Sequence, residues 1–135
     1  MFALYEVAEQ NNISIDQGNL PCTKSLSIPG HVALDYNLMW NSAEERTRTA
    51  HELGHCIRYA FYRRDDPRYI KKRCENKADK WAIKKLVPKD ELERAVASGC
   101  TELWELAEYF DVTEEFMIKA VWYYQNGNLA VEKRA

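Results

Sequence analysis

Apolar side chains in the first ten residues recur on one side of a helical turn, at Leu4, Val7 and Ala8, so FALYEVAEQN (residues 2–11) reads as a short amphipathic helix ended by Asn11 and Asn12. The period then shortens. ISID is a brief alternating stretch, followed by a turn-rich segment around Gly18, Pro21, Pro29 and Gly30. In HVALDYNLM, Val32, Leu34 and Tyr36 alternate onto one face, which predicts a strand over residues 31–36. Helical spacing returns at Ser42, an N-cap with Glu45 three residues on to complete a capping box, and the helix it opens is expected to run to about Tyr62. RRDDP interrupts, and Pro67 suits the start of a second long helix that reaches Leu86 and is stopped by Pro88. KDELERAVASG gives a further helix with Gly99 as its stop. Thr101 and Thr113 read as N-caps of two short helices over residues 102–110 and 114–125. A helix, a few short strands and then helices only, without an internal repeat or a dividing linker, predict one α+β domain over residues 1–135.

Composition narrows the class. With 46% hydrophobic and 30% charged residues, five Gly and four Pro, the chain is not of disordered type, and 135 residues suffice for a core without staples. A formal net charge of -2 points to neither a nucleic-acid binder nor an acidic tail, so no direct nucleic-acid partner is expected. The amino terminus carries Glu6 and Glu9 and lacks the basic and apolar regions of a signal peptide, and no window has membrane-spanning character. The four cysteines are widely spaced, which fits free buried thiols and predicts a cytoplasmic location.

The densest chemistry lies in TRTAHELGHCIRYAFY, residues 47–62. His51 and His55 stand four apart on the expected helix, so both imidazoles can reach one point, and zinc takes imidazole nitrogen readily. Glu52 lies about 100° further round the helix, away from the ligand direction but able to reach a metal-bound water as general base. Ala50, Leu53, Ile57 and Ala60 can bury the other side, and Gly54 is explained if backbone or ligand approaches closely there. A third ligand must come from elsewhere. His31 is the remaining histidine, and the downstream acids are Asp65, Asp66, Glu75 and Asp79. In CENKADKWAIKKLVP, Glu75 and Asp79 share one helix face together with Ala78 and Ala82, so Glu75 is the expected ligand and Asp79 the acceptor for the outer N–H of a ligand histidine.

AHELGH, a glutamate twenty residues after the second histidine in Glu75-x-x-Ala78-Asp79-x-Trp81-Ala82, and then Leu86-Val87-Pro88 together resemble the ImmA/IrrE family of zinc metallopeptidases and the wider gluzincin pattern. Trp81 stands where that family commonly has Phe. The resemblance implies a zincin-like fold, with a small twisted sheet beside an active-site helix and the other helices packed behind. It also implies a zinc endopeptidase with His51, His55 and Glu75 as ligands and Glu52 as the catalytic residue, acting on a protein partner such as a helix-turn-helix repressor of a mobile element or stress response. Strand 31–36 is then expected to border the cleft and to accept an extended substrate. Tyr36, His31, Tyr59 and Tyr62 are the candidates for stabilising the oxyanion.

Two other features compete. The helices over 102–125, joined by DVT, have the rhythm of a helix-turn-helix, yet residues 99–126 hold six acids and only Lys119 as a base, which disfavours phosphate contact. Basic residues concentrate in 58–94, where RYIKKR reads as a solvated helix face. An inactive relative that keeps zinc as part of a protein-binding module is the remaining alternative; Glu52 argues against it, since a purely structural site needs no general base.

Overall fold

A computed structural model describes residues 1–131. The elements run α1 (Phe2–Gln10), β1 (Ser14–Gln17), β2 (Ser25–Ile28), β3 (His31–Leu34), a 3-10 turn (Tyr36–Leu38), α2 (Ser42–Ile57), α3 (Arg68–Leu86), α4 (Lys89–Ala97), α5 (Leu103–Phe110) and α6 (Glu114–Asn126). The fold is α+β, with a three-stranded mixed sheet in the order β1-β3-β2, in keeping with the zincin-like expectation of a small sheet beside packed helices. β1 pairs parallel with β3, and β2 pairs antiparallel with it.

Strand β3 ends at Leu34, two residues short of the expected span, and lies in the centre of the sheet with both edges occupied. An added strand therefore cannot pair with it. The free edge next to the cleft belongs to β2, which falls inside the segment that reads as turns. Its alternation is inverted: Leu26 and Ile28 are exposed while Ser25 is buried, so an apolar-inward pattern does not reveal it.

Helix α2 starts one residue earlier in its capping than Ser42 predicts. Asn41, in extended conformation, is the N-cap and accepts the Glu44 N–H at 2.9 Å, whereas Ser42 Oγ is drawn away to Asp111 Oδ1 at 3.0 Å. The helix ends at Ile57, well before Tyr62, because Tyr59 adopts a left-handed backbone with φ 49° and turns the chain back. Ala60 N then donates to the His55 carbonyl at 2.9 Å. At α5 the cap is Glu102 without a side-chain bond, in place of Thr101, while Thr113 Oγ1 does accept the Phe116 N–H at the start of α6. Gly99, with φ +111°, follows the end of α4 as expected.

The core joins Leu4 and Ala8 of α1, Val32 and Leu34 of β3, Ala50 and Leu53 of α2, Ile83 and Leu86 of α3, and Leu106, Phe110, Phe116 and Met117 of the last two helices. The four cysteines are unpaired; only Cys74 is buried and Cys22 is exposed, so the expectation of buried thiols holds for one of them. No helix among the described residues is long and apolar enough to cross a membrane.

Helices α2 and α3 meet at Gly54. A Cβ there would lie 2.6 Å from the carbonyl oxygen of Ala78 and 3.0 Å from its Cα, both backbone atoms that cannot swing aside. Gly54→Ala is therefore expected to lower the urea unfolding midpoint: relief of the glycine helix penalty returns about 1 kcal/mol, but overpacking costs about 1–3 kcal/mol and forces α3 outward. An unchanged or raised midpoint would show that α3 yields without cost.

Candidate metal centre

His51 and His55 occupy successive turns on one side of α2, and Glu75 faces them from α3. His51 Nε2 lies 2.7 Å from Glu75 Oε2, His55 Nε2 lies 3.0 Å from the same oxygen, and the two nitrogens are 3.1 Å apart. These three residues each offer one ligand atom to a common point. Two imidazole nitrogens and one carboxylate oxygen suit zinc, whose tetrahedral donors at about 2.1 Å from the ion sit about 3.4 Å from one another. The three atoms would spread by less than the width of a bond to receive it. The residues fit the group.

Each donor is held from behind. His51 Nδ1 is 2.7 Å from Asp79 Oδ1, and His55 Nδ1 is 2.6 Å from the Ala60 carbonyl oxygen. A carbonyl can only accept, so His55 carries a proton on Nδ1, which leaves Nε2 as the nitrogen that would give up its own proton to bind a metal. Tyr62 donates its hydroxyl to Glu75 Oε1 at 2.6 Å. Lys119 of α6 donates to the second oxygen of Asp79 at 3.3 Å.

The charges of this cluster are mutually dependent. Burial alone pulls the His51 imidazole pKa down, but the hydrogen bonds it donates to Asp79 and Glu75 outweigh it and raise the value to about 10. For His55 burial again acts downward, and the bonds to Glu75 and the Ala60 carbonyl win, leaving the pKa raised. Burial pushes Glu75 up, yet bonds from His51, His55 and Tyr62 hold it well below the usual carboxylate range. The Glu75 carboxylate, aided by burial, raises the Tyr62 phenol to about 12.

Glu52 projects from the same turn of α2 toward the sheet and is buried. Ser25 Oγ donates to its Oε2 at 2.7 Å and Ser27 Oγ to its Oε1 at 2.8 Å. Here the inverted alternation of β2 finds its reason: the strand turns serines inward because it faces a carboxylate. On one side of Glu52 and Glu75 opens a cleft of about 530 Å³, walled by Arg48, Thr113, Phe116 and Lys119. On the other lies a hollow of about 270 Å³ against Leu26, Phe61 and Tyr62.

The remaining sequence candidates separate clearly. Tyr62 touches the cluster. Tyr36 is engaged away from it, between Tyr5 and Thr49, at 2.9 and 3.1 Å. His31 bonds Ser14 at 2.6 Å on the far side of the sheet, and Tyr59 is exposed. Asp66 caps its own turn through Arg63 N at 2.6 Å. Sequence reasoning missed Ser25, Ser27 and the contact of Lys119; a lone cation in an otherwise acidic stretch was the available signal for the last.

The family model described as the IrrE N-terminal-like domain, a peptidase family, matches residues 32–121. That span contains His51, Glu52, His55, Glu75, Asp79 and Lys119 but not the serines of β2. No curated protein and no solved structure matches the chain at a significant level. With more than half of its length matched, the chain belongs to the IrrE N-terminal-like family of peptidases.

Proposed function

We propose that the protein is a zinc-dependent endopeptidase that cleaves a peptide bond in a protein partner, with a helix-turn-helix repressor as the substrate class. The observation that carries this reading is the convergence of His51 Nε2, His55 Nε2 and Glu75 Oε2 beside an acid, Glu52, that is not among the three donors. His51, His55 and Glu75 would hold the metal, and Asp79 would fix the tautomer of His51. A zinc ion held there would supply Lewis acidity toward the scissile carbonyl and the attacking water. Glu52 takes the proton of that water and returns it to the leaving amine nitrogen. Ser25 and Ser27 limit the rotation of its carboxylate while leaving lone pairs open. The free edge of β2 borders the cleft and offers backbone groups to an extended peptide.

Metal content tests the ligand set. The wild-type chain is expected to bind about one zinc, and His51→Ala or Glu75→Ala to lose most of that affinity. Glu75→Ala binding like wild type would remove Glu75 from the ligand set. A metal and a proton compete for the His51 imidazole, whose pKa is raised to about 10, so the apparent affinity is expected to rise with pH across the neutral range and binding to release protons. Calorimetry in buffers of different ionisation enthalpy measures that release. Asp79→Ala is expected to retain the metal with an affinity about 10 to 100-fold weaker; an unchanged titration would detach Asp79 from the site.

Glu52→Gln separates an enzyme from a zinc-containing binding module. Incubated with the helix-turn-helix proteins encoded beside its gene, this variant is expected to keep its zinc and lose at least about 10²-fold in cleavage rate. Loss of zinc would make Glu52 a ligand or a structural partner of the site. If neither wild type nor variant cleaves a repressor that both bind equally, the binding-module reading replaces the peptidase.

A further inference from the structure

The ten residues between α2 and α3 do more than connect them. The left-handed turn at Tyr59 directs the chain back along the donors, so that the Ala60 carbonyl meets His55 and the Tyr62 hydroxyl meets Glu75. Cys74 Sγ lies 3.6 Å from the Phe61 carbonyl oxygen, tying the same segment to α3 one residue before Glu75. Two of the three donors are thus oriented from this one short segment.

The two oxygens of Glu75 are not equivalent. Oε2 alone faces the imidazoles, at 2.7 and 3.0 Å, while Oε1 is turned away to the Tyr62 hydroxyl at 2.6 Å. A carboxylate can bind a metal through one oxygen or both, and rotation about its last bond interconverts the two modes. Chelation through both oxygens would occupy part of the coordination sphere that a hydrolytic site keeps open for water and substrate. Tyr62 projects from the wall of the smaller hollow beside Glu52 and Glu75. Its neighbour in the same segment, Tyr59, is 74% exposed and sets its ring edge-on against Phe61.

We propose that Tyr62 is a positioning residue that holds the second oxygen of Glu75 and so keeps this glutamate a one-oxygen ligand, preserving an open coordination position. The proposal rests on the metal reading above and goes beyond it in assigning the mode of ligation and the residue that sets it. It also commits the Tyr62 hydroxyl to the metal ligand, in place of a direct bond to the substrate.

Cobalt(II) as a spectroscopic probe and zinc as the affinity probe test this on the full chain without any substrate. Wild type is expected to give the intense visible bands of four-coordinate cobalt. Tyr62→Phe should give weaker bands at shorter wavelength, as coordination number rises, and a zinc affinity lower by about tenfold. Tyr62→Leu, which also lacks the hydroxyl, must behave alike and serves if the first variant folds poorly. Tyr59→Phe should match wild type. Wild-type spectra and affinity in both Tyr62 variants would overturn the proposal while leaving the metal site intact. A wild-type chain that takes up neither cobalt nor zinc would overturn the metal reading and the proposal with it.

Discussion

Helices α2 and α3 touch backbone to backbone where Gly54 faces Ala78, and the geometry of the candidate site follows from that contact. One turn of helix separates His51 from His55, and one turn separates Glu75 from Asp79. Only when the two axes come close can short side chains from both meet within hydrogen-bond distance. A wider spacing would leave Glu75 out of reach of the imidazoles, whatever their spacing along α2. Ala78 and Ala82, both fully buried on α3, complete the same close surface.

That close contact also concentrates opposing charges. Asp79 accepts from two helices at once, from His51 of α2 and Lys119 of α6, so it ties the last helix to the centre. The one cation between Gly99 and Asn126 is thereby directed inward, and the acidic surface of the α5–α6 pair is left facing solvent. α6 is anchored further by Phe116 in the core and by Thr113 N against Thr47 Oγ1. The second helix of the pair that has the rhythm of a DNA reader, α6, is built into the wall of the cleft.

Much of this was legible in the sequence, because ligand chemistry imposes spacing. Two histidines four apart and two acids four apart admit few arrangements once both segments are helical, and Gly54 marked the close approach. The features that escaped have local reasons. Either Asn41 or Ser42 can cap a helix, and a tertiary bond from Ser42 to Asp111 decides between them. A helix that ends on a left-handed tyrosine carries no glycine to announce its end, so α2 read five residues too long. β2 was hidden because hydrophobic patterning presumes that a strand turns its apolar side chains inward. Ser25 and Ser27 obey the electrostatics of Glu52 instead.

The short free edge of β2 carries a consequence of its own. With four residues in the strand and Pro29 directly after it, this edge can template only a brief stretch of partner chain. A chain that docks there must already be extended, or must surrender its helical hydrogen bonds first. Folded helices would be protected by their own stability, and interdomain linkers or frayed ends would be engaged. For a peptidase that used such an edge, selectivity would be thermodynamic before it is chemical: the conformational freedom of an incoming segment, more than the identity of its side chains, would set how often it reached the cleft.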